Sequence, residues 1–241
     1  MLTSCPMKEY LKLALFLLVP LGIYLWHTDA FCREESDSPV PVEQEDTVEV
    51  VHLNRGPHNV MLLGDSMIEF MCRRLDDYCL SNGHTVHSIV WYSSSTKVWA
   101  ESDTLEYFMR KYKPDFIMIS LGSNEQFVRD LDKRDRYIRQ MLEKVGDTPY
   151  IWICPPSWKQ DTGIDSLILK NVGPKRFFDS RKLVLARGKD HIHPNREAAA
   201  QWMDAIAAWL CDSTATAYPL EMYYPDTVAK KRSLTVLQPP K

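Results

Sequence analysis

The sequence is short of several features that mark particular classes of protein. It has only nine glycines in 241 residues, no repeat of fixed period and no low-complexity block. These absences exclude collagen-like, solenoid and largely disordered chains. The hydrophobic share of 45% and the charged share of 25% are instead typical of a soluble globular domain with a sizeable core.

Closely spaced cysteine pairs and an excess of one charge are also lacking. The six cysteines are scattered and form no CxxC pair, which argues against a disulfide-stapled mini-domain and against a structural zinc site. The 29 basic and 32 acidic side chains leave a formal net charge of −3. Because a partner with a phosphate backbone calls for a basic surface, we expect no nucleic-acid partner.

A long hydrophobic run without a charge lies near the N-terminus. It covers residues 13–26 (LALFLLVPLGIYLW) and follows Lys8 and Lys12. The pattern predicts export, with residues 1–30 as a cytoplasmic flank and a signal-anchor or signal peptide, and the rest of the chain in the periplasm or at the cell surface. We favour an uncleaved membrane anchor, because Thr28-Asp29-Ala30 is a poor cleavage site. A cleaved signal, which would give a secreted protein, and a buried core helix are the alternatives.

The remainder of the chain divides by composition. Residues 31–57 form an acidic segment with two prolines, which predicts a solvated linker. Residues 58–212 alternate between short apolar runs and amphipathic stretches and are predicted to be the folded domain. Residues 213–241 form a C-terminal tail, and the sequence does not decide whether this tail packs or frays.

The periodicity of the folded domain predicts an α/β protein. Apolar runs rich in Ile, Val and Met predict buried strands, and the amphipathic segments between them predict helices. The strands are expected at 59–63, 86–91, 115–121 and 149–154, and the helices at 67–81, 103–112, 132–145 and 195–211. This alternation is typical of a three-layer α/β/α sandwich with a mostly parallel sheet.

Polar residues follow two of the predicted strands, where sites form in a parallel sheet. Gly64-Asp65-Ser66 comes directly after the first strand, and Ser66 is placed to present its hydroxyl above the sheet while its N–H faces a developing negative charge. Leu121-Gly122-Ser123-Asn124 ends the third strand, and the amide of Asn124 can donate into the same pocket. Taken alone, each segment is better explained by an ordinary capping or Asx turn.

A third polar segment, Asp190-His191-Ile192-His193-Pro194-Asn195, precedes the last predicted helix. Asp190 and His193 lie three residues apart, so the carboxylate can hold one imidazole nitrogen and leave the other free as a base. Metal binding by Asp190, His191 and His193 is the alternative, although no further ligand cluster completes such a site.

Taken together and in this order, GDS, GSN and DxxHP resemble the SGNH (GDSL-type) hydrolase family over about residues 58–211. The resemblance implies that Ser66 is the nucleophile, His193 the general base and Asp190 the acid that orients it. Asn124 and the N–H of Ser66 would be the oxyanion donors. It also implies a flavodoxin-like α/β/α sandwich of five parallel strands, and neither a metal nor an organic cofactor.

Two positions depart from this pattern or extend it. The family usually has a glycine after the second strand that supplies a further oxyanion N–H, whereas this sequence has Ser93-Ser94-Ser95 there. Ser94 is the candidate donor, with a polar loop of no catalytic role as the alternative. Trp158 follows the fourth strand and is a candidate for stacking on a sugar ring, the alternative being packing.

These observations predict a cell-envelope serine esterase that removes ester-linked acyl groups, in particular O-acetyl groups, from a carbohydrate through an acyl-enzyme. One alternative is an O-acyltransferase that modifies an envelope polysaccharide with the same triad and receives acyl groups from a membrane partner. The other is a non-catalytic envelope binding protein. The expected partners are an acylated carbohydrate or other small ester, and the membrane through the N-terminal helix.

Overall fold

The structure is a computed structural model of the chain, and it describes residues 52–239. The predicted anchor and residues 31–51 of the predicted linker lie outside the described residues. Asn54, near the end of that linker, is attached to the tail: its N–H donates to the carbonyl oxygen of Pro219 and its carbonyl accepts the N–H of Glu221, both at 3.0 Å. Within this range every helix is too short or too polar to span a bilayer.

In the described part of the chain, six parallel strands form one sheet. They are β1 (Asn59–Gly64), β2 (Thr85–Trp91), β3 (Phe116–Ser120), β4 (Tyr150–Ile153), β5 (Phe177–Phe178) and β6 (Leu234–Leu237). The order is β5-β4-β3-β1-β2-β6, and every neighbouring pair is parallel. Strand β2 lies on one side of β1 and β3 lies on the other, so the order of the strands reverses direction at β1. A crevice for a ligand is therefore expected beyond the carboxyl end of β1.

Helices cover both faces of this sheet. Within the described range they are α1 (Met71–Ser81), α2 (Thr96–Glu101), α3 (Thr104–Tyr112), α4 (Leu131–Val145), α5 (Ile164–Val172) and α6 (Arg196–Cys211). Val60 and Leu62 of β1 pack with α1 and α6, whereas Met61 and Leu63 pack with the helices of the opposite face. Alternate residues of one strand thus enter two separate cores, which is why its sequence is apolar without interruption.

The structure confirms the α/β class, the parallel sheet, the four predicted strands and the four predicted helices, with small differences at their ends. The first predicted helix is divided, because a short 3₁₀ helix (Ser66–Ile68) precedes α1. Helices α2 and α5 and strands β5 and β6 were not predicted. The expectation of five strands is therefore corrected to six.

The C-terminal tail packs against the domain. Leu220 and Met222 are buried, and β6 pairs with β2 so that Ser88 lies opposite Leu234. Arg232 lies 3.5 Å from a carboxylate oxygen of Asp76 on α1. The folded unit therefore extends beyond residue 212, the end expected from the sequence.

Candidate active site

The loops that carry the sequence motifs begin side by side. Gly64, the last residue of β1, lies opposite Val90 of β2 and Ser120 of β3. The loops that follow these three strands therefore start side by side at the carboxyl ends of the strands, where the strand order reverses. The crevice is expected at this end of the sheet.

The turn after β1 determines the position of Ser66. A Cβ atom on Gly64 would lie 2.5 Å from the carbonyl oxygen of Ser120, so the close approach of β1 to β3 requires glycine. The carboxylate of Asp65 accepts the N–H of Met67 at 2.9 Å and starts the short helix Ser66–Ile68. Ser66 consequently occupies the first helical position, where a backbone N–H has no acceptor within the helix.

The structure brings the side chains of Ser66, His193 and Asp190 into one hydrogen-bonded chain. Nε2 of His193 lies 2.8 Å from Oγ of Ser66, and Nδ1 lies 2.6 Å from Oδ2 of Asp190. An ionised carboxylate only accepts hydrogen bonds, so Nδ1 carries the ring proton and Nε2 accepts the serine hydroxyl. The three residues assigned from the sequence thus have the geometry of a nucleophile, a base and the group that orients the base.

The loop before α6 holds Asp190 as an anion. Its Oδ1 accepts the N–H of Ile192 at 2.9 Å and that of His193 at 3.1 Å. The Ile192 N–H, followed by the His193 ring and backbone N–H groups, lowers the pKa of Asp190 to about 2. His191, at the tip of this turn, has a φ of 60° and is exposed. Because both ring nitrogens of His193 face oxygen atoms, this arrangement favours proton transfer over the alternative metal site.

Asn124 lies in the loop after β3, at the same end of the sheet as Ser66. Its Nδ2 donates to the carbonyl oxygen of Ser94 at 2.9 Å and lies 3.4 Å from Oδ2 of Asp65. The longer contact is a weak hydrogen bond, which this exposed residue can exchange for a stronger acceptor on a ligand. Asn124 therefore lies beside the turn that carries Ser66, at the position expected of an oxyanion donor.

Ser94 is placed differently from the prediction. Its N–H donates to the carbonyl oxygen of Trp91 at 3.1 Å, and its Oγ accepts the indole N–H of Trp99 at 3.0 Å. The φ of 58° at Ser93 turns the chain and directs the Ser94 N–H back toward β2. The expected donation of this N–H to an oxyanion is therefore corrected. Ser94 acts instead through its carbonyl oxygen, which holds the Asn124 amide.

Two buried carboxyl groups beneath these loops were not singled out from the sequence. Asp65 is fully buried and also accepts the hydroxyl of Ser123, and burial raises its pKa to about 6. Glu125 is buried as well, and it accepts the N–H and the hydroxyl of Thr96 at 2.8 and 2.7 Å. Burial raises the pKa of Glu125. Asp65 thus joins the loops after β1 and β3, and Glu125 joins the loops after β2 and β3.

Trp158 lies in the loop after β4 and is partly buried. Its ring is edge-to-face with that of Phe127, with centroids 6.4 Å apart, and Phe127 is 56% exposed. The N–H of Thr162 donates to the carbonyl oxygen of Gln126 at 2.8 Å and ties the two loops together. Phe127 and Trp158 form an apolar border at the same end of the sheet, beyond the carboxyl ends of β3 and β4. Phe127 was missed because a single aromatic residue in a loop carries no pattern.

Comparison with known proteins gives similarity at the level of the fold only. No family model and no curated protein matches the chain. Among solved structures, it is similar to the C-terminal catalytic domain of peptidoglycan O-acetyltransferase A from Streptococcus pneumoniae, determined with a methylsulfonyl adduct. The identity is 15% and the TM-score 0.45, over 66% of this chain and 95% of that one. At this level of similarity, the function of this chain has to be argued from its own side chains.

Proposed function

We propose that the protein is a serine esterase that forms an acyl-enzyme on Ser66. The observation that carries this proposal is the continuous chain from Asp190 through His193 to Ser66, with contacts of 2.6 and 2.8 Å. A serine hydroxyl is a weak nucleophile unless an adjacent base removes its proton. This arrangement supplies the base and fixes its tautomer.

The reaction follows from the positions of the protons. Nε2 of His193 takes the Ser66 proton while Oγ attacks the ester carbonyl carbon, and the carbonyl π-electron pair moves to the oxygen. The resulting oxyanion accepts hydrogen bonds from the Ser66 N–H and the Asn124 amide. When the C–O bond of the ester breaks, the leaving alcohol receives the proton from His193. Water, deprotonated in turn by His193, then releases the acid and restores Ser66.

The proposed substrate is an O-acylated carbohydrate of the cell envelope, with O-acetyl as the expected acyl group. Two features support this class. The N-terminal sequence is typical of an exported chain, which would work outside the cytoplasm, anchored to the membrane. The aromatic border of Trp158 and Phe127 offers the kind of surface on which a sugar ring stacks.

Labelling with a fluorophosphonate tests the nucleophile directly, because such probes phosphonylate an activated serine. We expect full-length protein to be labelled at Ser66, as located by mass spectrometry of the modified peptide. The Ser66→Ala variant should not be labelled, whereas Ser166→Ala, which removes an exposed hydroxyl on α5, should be labelled like wild type. Absence of labelling in correctly folded wild type would support the alternative of a non-catalytic binding protein.

Transfer of the acyl group to a sugar hydroxyl is the second candidate, since it shares the acyl-enzyme and differs only in the attacking group. The two are separated by supplying an activated acetyl ester together with envelope-type oligosaccharides. An esterase converts all consumed donor to free acid and deacylates acetylated oligosaccharides. Acetylated sugar, detected by mass spectrometry at the expense of free acid, would identify a transferase instead.

A further inference from the structure

Arg187 joins two loops of the candidate site through its side chain. Nη1 donates to the carbonyl oxygen of Ile192 at 2.7 Å. Nη2 donates to the carbonyl oxygens of Pro156 and Ser157, both at 3.1 Å. The guanidinium is partly buried, and these three acceptors are main-chain atoms. Its hydrogen bonds therefore hold backbone in place.

The first of these loops carries the candidate base. Two backbone hydrogen bonds join the two ends of this loop. The Gly188 N–H donates to the carbonyl oxygen of His193 at 2.8 Å, and the Asn195 N–H donates to that of Ala186 at 3.0 Å. Between them the chain has no helix or strand, and Asp190 and His193 depend on the turn for their alignment. The Ile192 carbonyl, which Arg187 holds, belongs to the peptide unit that leads directly into His193.

The second loop carries Trp158. It runs without regular secondary structure from the end of β4 to α5, and the two carbonyls that Arg187 holds immediately precede the tryptophan. This loop is also attached elsewhere: the hydroxyl of Ser157 donates to Asp165 at 3.3 Å, Thr162 bonds to the Phe127 loop, and the Trp158 ring packs on Phe127. Arg187 thus joins the Trp158 loop to the base-carrying loop by direct hydrogen bonds.

We propose that Arg187 is a positioning residue for His193, which it holds against Ser66 by fixing the base-carrying loop to the Trp158 loop. This inference rests on the proposed function. The guanidinium suits the task because its planar fork donates in several fixed directions at once, whereas a lysine ammonium is a single centre on a flexible stem. A shift of the base by about 1 Å is enough to lower a catalysed rate about 100-fold.

The test compares Arg187→Met and Arg187→Lys with wild type in the full-length protein, using a small activated acetyl ester. We expect kcat to fall about 10- to 100-fold in Arg187→Met with KM changed less than about 3-fold, because the small ester depends on base alignment. Arg187→Lys should recover part of the loss, and added guanidinium ion should raise the turnover of Arg187→Met. The matched control is Arg176→Met. Arg176 is another partly buried arginine; it directly precedes β5 and donates to the Tyr218 hydroxyl at 3.0 Å. This variant should retain wild-type kcat.

A combined substitution separates positioning from general loss of structure. In a His193→Ala background, Arg187→Met should cost less than about 2-fold, because the group that it positions is gone. A comparable loss in both backgrounds, or equal kcat for wild type and Arg187→Met, would overturn the inference. In either case the proposed function would stand, because it depends on labelling and turnover by the wild type. If Arg187→Met does not fold, as judged by thermal unfolding, Arg187→Lys carries the same comparison.

Discussion

Nε2 of His193 lies 2.8 Å from Oγ of Ser66, although 127 positions separate the two residues in the chain. Ser66 follows β1, whereas His193 precedes α6, which packs on the same face of the sheet as α1. The contact therefore depends on the carboxyl end of β1 and the amino end of α6 meeting at one place. The most direct predictions concern this pair.

Ser66→Ala and His193→Ala should each lower kcat/KM on an activated acetyl ester by at least ~10³-fold, because either change removes the nucleophile or its base. Steady-state hydrolysis by the purified protein measures the loss. Ser166→Ala and His191→Asn are the matched controls, since both change exposed side chains outside the hydrogen-bonded chain, and Asn accepts the positive φ at position 191. Undiminished turnover by Ser66→Ala would contradict the assignment of the nucleophile.

Asp190→Asn should lower kcat by about 10²- to 10⁴-fold, since an amide at this position favours the wrong tautomer of His193. Hydrogen bonds lower the pKa of the Asp190 carboxyl to about 2, so its contribution to stability is present above about pH 4 and is lost as the pH falls toward 2. The difference in Tm between wild type and variant should consequently shrink as the pH is lowered from 4 to 2. Kinetics at neutral pH check the first statement, and thermal unfolding between pH 2 and 4 checks the second. A variant with wild-type kcat would show that the carboxylate does not orient the base.

Asn124→Ala should lower kcat by about 10²- to 10³-fold with a small effect on KM, as expected for loss of one oxyanion donor. Part of this cost has a structural cause, because the Asn124 amide also holds the carbonyl of Ser94 at 2.9 Å. Ser94→Ala keeps that carbonyl and therefore should leave kcat within about 3-fold of wild type. Equal and large losses in both variants would contradict a separate catalytic role for the Asn124 amide.

The central part of the fold was predictable because burial dictates the composition of its strands. Strands β1, β3 and β4 consist mainly of apolar residues, β2 ends in the apolar residues Ile89-Val90-Trp91, and these four strands were found from the sequence. β6 was missed because Leu234-Thr235-Val236-Leu237 lies at the sheet edge, where Leu234 and Val236 stay exposed and the short segment resembles a loop. β5 is only two residues long.

The site was predictable as a set of residues and not as a geometry. Three motifs in one order identified Ser66, Asn124, Asp190 and His193. The direction of the Ser94 N–H depends on the positive φ of Ser93, and a run of three serines does not predict that conformation. The burial of Asp65 likewise depends on how closely three loops pack over it, which is a tertiary property. The fork of Arg187 reaches across 30 positions and has no local pattern.

A buried carboxyl group next to the Trp158 loop gives a prediction on stability. Asp165 is almost completely buried, and burial together with the hydrogen bond and charge of Asp161 raises its pKa to about 7. A carboxyl whose pKa is raised on folding contributes stability that is fully present below about pH 4 and is lost as the pH rises toward 7. The wild type should therefore lose this contribution over the interval.

Asp165→Asn has no proton to lose, so its Tm relative to wild type should rise between pH 5 and pH 8. We expect the Tm of Asp165→Asn to gain about 2–4 °C or more relative to the wild type, since about 1 kcal/mol changes Tm by that amount in a domain of this size. Thermal unfolding at several pH values measures it. Asp226→Asn, at an exposed position in the tail, is the control and should follow the wild type. Parallel curves for Asp165→Asn and wild type would show that Asp165 is ionised throughout.

The aromatic border provides the prediction that reaches the substrate class. Phe127 is 56% exposed and meets the ring of Trp158 edge-to-face, so its side chain remains accessible to a ligand. If a sugar ring stacks on this border, Phe127→Ala and Trp158→Ala should raise KM for an acetylated oligosaccharide by about 3- to 10-fold, the effect of losing about 0.5–1.5 kcal/mol of aromatic contact.

The same two variants should leave KM for a small aryl acetate unchanged, because that substrate needs only the nucleophile and the oxyanion donors. Tyr107→Ala is the control, since Tyr107 is an aromatic side chain of similar exposure (49%) on α3. A selective rise in KM for the oligosaccharide assigns the border to sugar binding, because general damage to the site affects both substrates. An equal rise for both substrates would mean that the rings support the loops without contacting the carbohydrate.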